Sequence, residues 1–535
     1  MTAAGRLELT WANKEMRLLA HDDVSYEWVD PADWRVSEVR LLEHVDEVGD
    51  PASGNLLIRG DALHALTALS SLPEVAPEYL GKVRLCYIDP PFNTGQAFQH
   101  YDDALEHSVW LTMLRDRLVQ IKRLLSPDGS VWVHLDDTEV HRARCVLDEV
   151  FGPDWFIGTV IWKKADTLRN DARRFSVSHD YLLVYGAPTW QAQRLPRTED
   201  MNDVYRNPDN DPRGPWLAGT LISPHFRSSG DFEVRTPGGA AHRAPNGTSW
   251  RVPRETFDRL LTDNRIWFGR DGRGTPQQKL FLSGAKDRVV DTIWDVKDVG
   301  GNRQSKAEIK KLFPATPPFD TPKPERLMQR IIHVSTDPGD LVLDCFAGSG
   351  TTAAVAQKMG RRWVTVELSQ HNVDTFIRPR LGKVLAGEDL GGVTEAVGWK
   401  GGGGFVMADV VQSMFEELDG TVVLAEWATR GELAKAVCAQ VRYVHEPDIP
   451  FAGRKGRSRL AVIDGMLTTG VVDFLVGRLE DSETLLVYAQ ALEPGIEEYV
   501  REARSGSRAK KVPRDLARSG VMASRLVRLG EAKKS

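Results

Sequence analysis

One stretch near residue 350 constrains the fold most: a short apolar run, a turn with two glycines, and a helix-forming segment. The apolar run ends at Asp344, and Gly348 and Gly350 form the turn. Glycines at such a turn allow backbone N–H groups and a helix N-terminus to approach a ligand closely. A second apolar run follows the helix and ends at Glu367, a carboxylate suited to a pair of ribose hydroxyls. The sequence therefore predicts a cofactor site at the edge of a parallel sheet.

The glycine turn alone fits two cofactors equally well. A Gly-x-Gly after a strand also opens dinucleotide sites, so a nicotinamide cofactor and S-adenosylmethionine (AdoMet) both remain open. A Walker P-loop is disfavoured, because Thr351 and Thr352 stand where its Lys-Ser/Thr pair would be. The choice between the two cofactors needs a second motif.

That second motif lies far upstream, where an apolar strand runs into Asp89, Pro90, Pro91 and Phe92. Asp and Pro are ordinary turn residues, so a strand ending in a plain turn is one interpretation. The other is chemical, because the exocyclic amino group of a nucleobase is a poor nucleophile unless acceptors draw on its N–H bonds. The Asp89 carboxylate and the Pro90 carbonyl are such acceptors, and the two prolines hold them rigidly. Phe92 offers a ring on which a base swung out of a duplex can stack.

Taken together, the two motifs resemble those of the amino-group DNA methyltransferases. Asp-Pro-Pro-Phe is followed, much later, by Asp-x-Phe-x-Gly-x-Gly, whose first aromatic residue is Phe346. The catalytic block precedes the cofactor block, which is the circularly permuted order of that family's β class. The strings Asn55–Leu63 and Tyr87–Gly95 are similar to the modification (Mod) subunits of type III restriction systems.

The resemblance implies an α/β fold with a doubly wound, mainly parallel sheet. This is the Rossmann-like, circularly permuted fold of AdoMet-dependent methyltransferases, with an inserted target recognition domain and a small C-terminal α/β module. The implied activity is transfer of a methyl group from AdoMet to the N6 amino group of a flipped adenine in double-stranded DNA. N4-cytosine methylation and RNA methylation are the alternatives. Asp89 favours adenine, since the N4-cytosine members more often carry Ser there.

The resemblance also assigns roles to individual residues. A catalytic set and a cofactor-binding set follow from the motif positions: Asp89, Pro90, Pro91 and Phe92 for catalysis, and Asp344, Phe346, Gly348, Gly350, Glu367, Lys323, Thr321 and Asp61 for AdoMet. Thr321 and Lys323 match a Thr-x-Lys-Pro-like element that contacts the cofactor carboxylate, although a lysine between prolines also suits a solvated turn. Asp61 ends the strand before a helix, so it either reaches the AdoMet adenine or caps that helix.

Five segments are expected along the chain. They are an N-terminal extension (1–50), a catalytic half (51–185), a target recognition domain (186–318), an AdoMet-binding half (319–400), and a C-terminal α/β module with a basic tail (401–535). The third is rich in Pro, Gly, Asn and Arg. Arginine is the commonest specific donor to guanine, so candidate DNA contacts are Arg206, Arg213, Arg227, Arg251, Arg254, Arg270 and Arg273. A second basic cluster comprises Lys163, Lys164, Arg169, Arg173 and Arg174.

Bulk properties exclude several classes of protein. The four cysteines show no C-x-x-C or zinc spacing, which predicts reduced thiols, a cytoplasmic location and no metal. No signal-peptide pattern and no membrane-spanning apolar run are found, so no membrane partner is expected. A net charge of −6 means that any DNA surface is a local basic patch. Asp298 with Glu308 and Lys310 resembles a nuclease metal site, and a helix start at Lys306 makes this a coincidence.

Other classes explain less of the sequence. A nicotinamide oxidoreductase would leave Asp89-Pro-Pro-Phe without a purpose, and a binding-only specificity subunit would not need either chemical motif. His134 lies within a strand and is interpreted as structural, because amino-group methylation can release its proton after attack. The Mod resemblance further implies a homodimer and a separate restriction partner with helicase and nuclease activity.

Overall fold

The computed structural model describes residues 8–20, 25–31, 33–72, 75–93, 106–167, 173–317, 319–418, 421–425, 428 and 431–512. Arg169, the end of the Tyr87–Gly95 string and the basic tail beyond residue 512 lie outside these residues. The chain divides into a large unit, Met1–Ala192 with Asp291–Ser535, and a smaller unit, Gln193–Val290.

The first part of the large unit alternates strands with helices, as the apolar spacing predicts. Its strands are β1 Arg17–Ala20, β2 Tyr26–Val29, β3 Leu42–Gly49, β4 Leu56–Arg59, β5 Val83–Ile88, β6 Leu125–Leu135, β7 Phe156–Lys163 and β8 His179–Gly186. Its helices are α1 Ala62–Ser71, α2 Ala76–Tyr79, α3 His107–Leu124 and α4 Val140–Phe151, with short 3-10 turns at Trp34–Ser37, Pro51–Ser53 and Pro153–Trp155. The N-terminal segment packs on this part, since Trp11 Nε1 donates to Thr112 Oγ1 at 2.8 Å.

The smaller unit is built from short strands around its own apolar core. Its elements are α5 Glu199–Asp203, β9 Trp216–Thr220, β10 Ile222–Ser223, β11 Val234–Arg235, β12 Ala241–His242, β13 Ser249–Trp250, α6 Arg254–Thr262, β14 Ile266–Trp267 and β15 Gln277–Phe281. β14, β15 and β9 form an antiparallel sheet, and β10 with β13 and β11 with β12 form two pairs. Trp250, Phe257 and Phe268 lie in its core. This unit falls inside the range predicted for target recognition.

After the insert the chain returns to the large unit. The elements there are β16 Ile293–Trp294, α7 Val296–Val299, α8 Asn302–Leu312, α9 Glu325–Ser335, β17 Leu341–Asp344, α10 Thr351–Lys358, β18 Arg362–Glu367, α11 Gln370–Asn372, a π-helical turn Val373–Ile377, α12 Arg378–Ala386, α13 Thr394–Val397 and β19 Gly404–Val410. The sequence boundaries place residues 293–312 in the insert, yet β16 pairs with β7 of the main sheet.

The C-terminal part forms a separate five-stranded sheet. Its elements, with the preceding hairpin, are β20 Phe415–Leu418, β21 Thr421–Leu424, α14 Glu432–Val441, β22 Val444–Asp448, β23 Phe451–Lys455, β24 Ser458–Leu467, α15 Thr469–Val476, β25 Thr484–Leu492, α16 Ile496–Ala503 and β26 Arg508–Lys511. The sheet order is β22-β23-β24-β25-β26, antiparallel at one end and parallel at the other. The small C-terminal α/β module is therefore observed.

The ten strands of the main sheet follow the order β16-β7-β8-β6-β5-β17-β18-β4-β19-β3. Neighbours from β6 to β19 are all parallel, whereas β8 and β3 run antiparallel to their neighbours. The predicted doubly wound, mainly parallel α/β fold is confirmed. β19 belongs to this sheet, although sequence analysis assigned residues 401 onward to the C-terminal module.

The two predicted motifs meet because of this strand order. β5, which leads to Asp89, lies directly beside β17, which ends at Asp344, and Leu343 pairs with Cys86. The sheet then continues from β5 to β6 on one side and from β17 to β18 and β4 on the other. Such a switch point opens a crevice at the carboxyl ends of the strands, where ligands bind. None of the described helices combines the length and apolar character needed to cross a membrane.

Candidate active site

A cavity of about 450 Å³ lies at the carboxyl ends of β5 and β17. It brings together most of the residues predicted from sequence. The predicted residues that line it are Asp61, Asp89, Pro91, Thr321, Lys323, Asp344, Phe346, Gly348 and Glu367. Pro90, Phe92 and Gly350 belong to the same two loops without lining it.

The glycine turn forms one wall of the cavity. Gly348 has φ +54° and Gly350 has φ +73°, a region that residues with a side chain rarely adopt. A Cβ on Gly350 would lie 3.1 Å from Ile377 Cγ2. Gly350 caps helix α10, whose first residue Thr351 also lines the cavity. The turn thus places a helix N-terminus and uncrowded backbone against the cavity.

Glu367 and Asp344 hold the turn in place from the ends of two strands. Glu367 Oε2 accepts the Gly348 N–H at 2.8 Å, and Oε1 accepts the Asn372 amide at 3.2 Å. Asp344 Oδ1 accepts the Phe346 N–H at 3.0 Å. Burial raises the pKa of Asp344 to about 7, although its hydrogen bonds from Thr352 and Phe346 act in the opposite direction. Burial likewise raises the pKa of Glu367.

Asp61 caps helix α1, which is one of the two roles predicted for it, and its side chain also lines the cavity. Its Oδ1 accepts the Leu63 N–H at 2.7 Å, which caps helix α1. Its Oδ2 accepts from the Arg117 guanidinium at 2.5 Å, and both side chains line the cavity. Burial pushes the pKa of Asp61 upward, but the charges of Arg117 and His64 and the hydrogen bonds lower it overall. Asp61 is therefore a paired, buried carboxylate at the cavity wall.

Asp89 faces the cavity with its two oxygens in different environments. Oδ2 contacts the ammonium group of Lys323, which lies 234 residues further along the chain. Oδ1 is buried and has no hydrogen-bond partner among the described residues. A buried acceptor without a donor is rare and costly, and such a group commonly marks a ligand site.

The rest of the Asp89 loop is fixed by packing. The Pro91 carbonyl accepts from Trp110 Nε1 at 2.6 Å, and Trp110 is fully buried in α3. The Phe92 ring lies 5.8 Å from the His134 ring and 5.3 Å from Lys323 Nζ. The loop is therefore held by the protein core and by Lys323.

His134 lies behind this loop, outside the residues that line the cavity. It is fully buried, its Nδ1 shares a hydrogen bond of 2.8 Å with the Tyr87 hydroxyl, and its ring packs edge-on against Trp162. Burial and the positive charge of Lys323 lower the pKa of His134. These contacts agree with a structural role.

Several residues that line the cavity were missed in the sequence, namely Tyr26, Tyr87, Arg117, Phe319, Ser369 and Asn372. Arg117 carried a usable signal, because it lies on α3 among the apolar residues that face the core. Phe319 packs edge-on against Phe376 at 5.5 Å, and its ring lies 3.4 Å from the position that a Cβ on Gly348 would take. Tyr26 comes from the N-terminal segment, where no motif pointed to the site.

No group of side chains that could hold a metal ion is found in the described part of the chain. The nuclease-like set of Asp298, Glu308 and Lys310 lies on two helices, α7 and α8. Glu308 instead accepts the backbone N–H of Glu325 at 3.1 Å. Burial and the charge of Glu325 raise the pKa of Glu308 to about 7, which fits a structural carboxyl group.

The candidate DNA-contacting arginines differ in the contacts that their side chains make within the protein. Arg213 is bound to Asp211 at 2.9 Å, and Arg254 is bound to Asp258 at 3.0 Å. Arg206, Arg251 and Arg273 donate to backbone carbonyls of the smaller unit. Arg227 and Arg270 are exposed. In the second cluster, Lys164 binds Asp180 at 2.6 Å, Lys163 lies 3.9 Å from Asp295, and Arg173 and Arg174 are exposed.

A Rossmann-like sheet with a glycine turn at its switch point, beside a buried acceptor that has no donor among the described residues, indicates a cofactor-dependent enzyme. Comparison with known proteins narrows this class. Residues 83–378 match the family model described as DNA methylase, of the N6 and N4 type. The match covers more than half of the chain, and the protein belongs to this family.

Individual relatives agree with that assignment. The chain is 32% identical over 397 residues to the StyLTI Mod subunit of a type III restriction-modification enzyme from Salmonella typhimurium, covering 64% of this chain and 59% of the relative. It is 26% identical to the EcoP15I Mod subunit from Escherichia coli, covering 62% and 61%. The chain thus spans about three fifths of these curated relatives. The solved structure of the PvuII cytosine-N4-specific DNA methyltransferase matches with a TM-score of 0.35 at 16% identity, over 64% of this chain and 90% of that one.

Proposed function

We propose that this protein transfers a methyl group from AdoMet to the N6 amino group of a flipped adenine in double-stranded DNA. The observation that carries the proposal is Asp89 Oδ1, a buried acceptor that lacks a donor among the described residues. Asp89 lines the cavity beside the glycine turn. An exocyclic amino group supplies the missing donor.

The residues that line the cavity suit AdoMet. Gly348 and Gly350 keep the backbone side open, since added Cβ atoms would approach Phe319 or Ile377. Glu367 and Asp344 supply carboxylates for hydroxyl and ammonium groups, and Asp61 lies at another part of the wall. Thr321 adds a hydroxyl from the other side. Phe346 and Phe319 contribute apolar surface.

When bound, AdoMet would supply an electrophilic methyl group, and the electron pair of the broken carbon–sulfur bond would remain on sulfur. The protein prepares the nucleophile: Asp89 and the Pro90 carbonyl accept the two N–H groups of the amine, which localises the lone pair on nitrogen. That lone pair forms the new nitrogen–carbon bond, and one N–H proton leaves to solvent afterwards. Phe92 presents a ring to the flipped base. Alignment in a desolvated cavity supplies the rate increase, so this step requires no metal ion.

Adenine is the preferred base on two grounds. Asp89 stands where N4-cytosine enzymes more often carry Ser, and the StyLTI and EcoP15I relatives are named as type III Mod subunits. N4-cytosine and RNA methylation are the competing substrates. Residues 193–290 are proposed to recognise the DNA site, with Arg227 and Arg270 among their exposed cations.

The names of the relatives also support a biological setting. We propose that the chain is the modification component of a restriction-modification system, acts in the cytoplasm as a homodimer, and works beside a separate restriction subunit. Size-exclusion chromatography with light scattering, with and without DNA, measures the oligomeric state.

Methyl transfer from tritiated AdoMet to genomic DNA tests the activity, and mass spectrometry of the digested nucleosides identifies the base. We expect N6-methyldeoxyadenosine from the wild type and none from Asp89→Ala, which should still bind AdoMet. Asp154→Ala, at an exposed position of the same unit, is the matched control and should behave as wild type. Labelled cytosine, labelled RNA, or full activity of Asp89→Ala would overturn the proposal.

A further inference from the structure

We propose that Lys323 is a positioning residue for Asp89, which holds the carboxylate so that only Oδ1 receives the amino group of the base. This inference rests on the proposed function. It places Lys323 on the base side of the site, whereas the sequence resemblance placed it on the cofactor carboxylate. The direct contacts of Lys323 within the described part of the chain are with the base side.

The backbone at Lys323 is rigid enough for such a role. Pro322 and Pro324 flank it, and each proline fixes its own φ and restricts the residue before it. Pro324 is the N-cap of α9, and the next residue, Glu325, is anchored in the core. The Glu325 carboxylate forms ion pairs with Lys358 Nζ at 2.8 Å and with an Arg380 guanidinium nitrogen at 2.9 Å. All three side chains are buried. Lys323 therefore projects from a fixed point.

Its side chain contacts the Asp89 loop at two places. The ammonium group binds Asp89 Oδ2 and lies 5.3 Å from the centre of the Phe92 ring. The Lys323 side chain is only 10% exposed and that of Asp89 only 20%. A cation near an aromatic face is attracted to it, and a partly desolvated pair is stronger than a surface one. One lysine thus binds both chemically important side chains of the loop.

The asymmetry of the carboxylate follows from this contact. With Oδ2 bound to Lys323, rotation of the carboxylate is restrained, and Oδ1 remains as the acceptor without a donor among the described residues. An amino group then finds one oriented lone pair in place of two freely turning oxygens. Preorganisation of this kind lowers the barrier because no group has to turn during the reaction.

Chemical rescue separates this role from a structural one. In Lys323→Ala, we expect the single-turnover rate at saturating AdoMet and DNA to fall by about 10- to 100-fold, the range for loss of a charge-assisted hydrogen bond. Ethylammonium fits the space left by the side chain and should restore a large part of the rate. Tetramethylammonium has no N–H group and should restore none. Lys323→Met keeps the volume and serves as a second variant.

Binding measurements separate the two sides of the site. Calorimetry with AdoMet and with decarboxylated AdoMet should give nearly equal, small changes for Lys323→Ala. A large loss of AdoMet affinity, with unchanged affinity for the decarboxylated form and an unchanged saturating rate, would overturn the proposal in favour of a cofactor role.

Lys383→Ala is the matched control. Lys383 also contacts a phenylalanine ring and donates to the Leu312 carbonyl at 2.7 Å, but it does not line the cavity. Its variant should keep the wild-type rate and show no response to ethylammonium. Absence of methyl transfer by the wild type itself would refute the proposed function, while the two binding series would still report which side of the site Lys323 serves.

Discussion

Asn93 and Glu139, 46 residues apart, are joined by a hydrogen bond of 2.8 Å from the Asn93 amide to Glu139 Oε1. Glu139 is fully buried. The same oxygen contacts His107 Nδ1, and the other oxygen accepts from Arg142 at 3.0 Å. Asn93 follows Phe92 directly and has φ +60°. A single buried carboxylate therefore anchors Asn93, the residue next to Phe92 in the Asp89 loop.

Breaking this bond should reduce catalysis without reducing cofactor binding. For Asn93→Asp, which sets one carboxylate against another, we expect a roughly tenfold or greater fall in the saturating rate, with the AdoMet dissociation constant nearly unchanged. In Asn93→Asp with Glu139→Gln, the new amide can donate to the new carboxylate. The double variant should recover activity relative to Asn93→Asp alone, as measured by single-turnover kinetics. Additive losses would show that the bond has no such function.

Gly350 should be required for the cofactor because of both its backbone and its surroundings. Gly350→Asp adds a Cβ close to Ile377 in a left-handed conformation, together with a charge beside the cavity. We expect AdoMet binding to weaken by about 100-fold or more, as measured by calorimetry, since backbone strain of about 1–2 kcal/mol adds to the crowding.

A glycine elsewhere provides the matched comparison. Gly360 has φ +70°, but a Cβ added there would meet no described atom within 4 Å, and Gly360 does not line the cavity. Gly360→Ala should lose about as much stability as Gly350→Ala, as measured by urea denaturation, but should bind AdoMet with wild-type affinity. If Gly350→Ala and Gly360→Ala bound AdoMet equally well, the turn would not be the cofactor wall.

The protonation of Glu308 should make stability depend on pH. Its pKa is about 7 in the folded protein, against about 4.5 in the unfolded chain. Between these values only the folded state holds the proton, so the free energy of unfolding falls as pH rises from 4.5 to 7. Glu308→Gln should therefore stabilise the protein by about 1–3 kcal/mol at pH 8 and by little at pH 4.5. Urea denaturation at both pH values measures this, with exposed Glu255→Gln as the control.

Replacement of Asp344 by Asn should weaken AdoMet binding but stabilise the folded protein. The Asp344 pKa of about 7 means that ionisation of this buried group is unfavourable in the protein alone. AdoMet carries cationic groups that favour the ionised form, so its affinity should rise with pH between 6 and 8. Asp344→Asn should bind AdoMet more weakly at pH 8 by about tenfold, lose this pH dependence, and unfold at higher urea concentration. A pH-dependent affinity that persists in Asp344→Asn would assign the titration to another group.

The local features of the site were visible in the sequence. The glycine turn, the Asp89 loop and the strands before them are short continuous patterns, and the switch-point rule brings their ends together. The edge strands of the sheet were harder to predict from the sequence. Strand β19 begins at Gly404, the last of a run of glycines at 401–404 that also suits a linker, and only its pairing with β4 and β3 shows its place.

Contacts between side chains far apart in the sequence were the hardest features to predict. Lys323 with Asp89 and Asp61 with Arg117 each join segments whose spacing in the sequence carries no information about their partners. The motif containing Lys323 predicts a ligand contact, and the structure adds an ion pair with Asp89 that no motif predicts. Backbone patterns are set by neighbours in the sequence, but such pairs depend on the completed fold.

The insert leaves the main sheet after β8 and the chain rejoins it at β16, and these two strands lie on either side of β7. At the base of the insert, Leu195 and Arg288 form an antiparallel bridge, so the two ends of the smaller unit lie side by side. A different polypeptide with similarly spaced ends could be grafted there without altering β5, β17 or the cavity between them. Under the proposed function, exchange of this insert would change the recognised DNA site and leave the catalytic chemistry as it is.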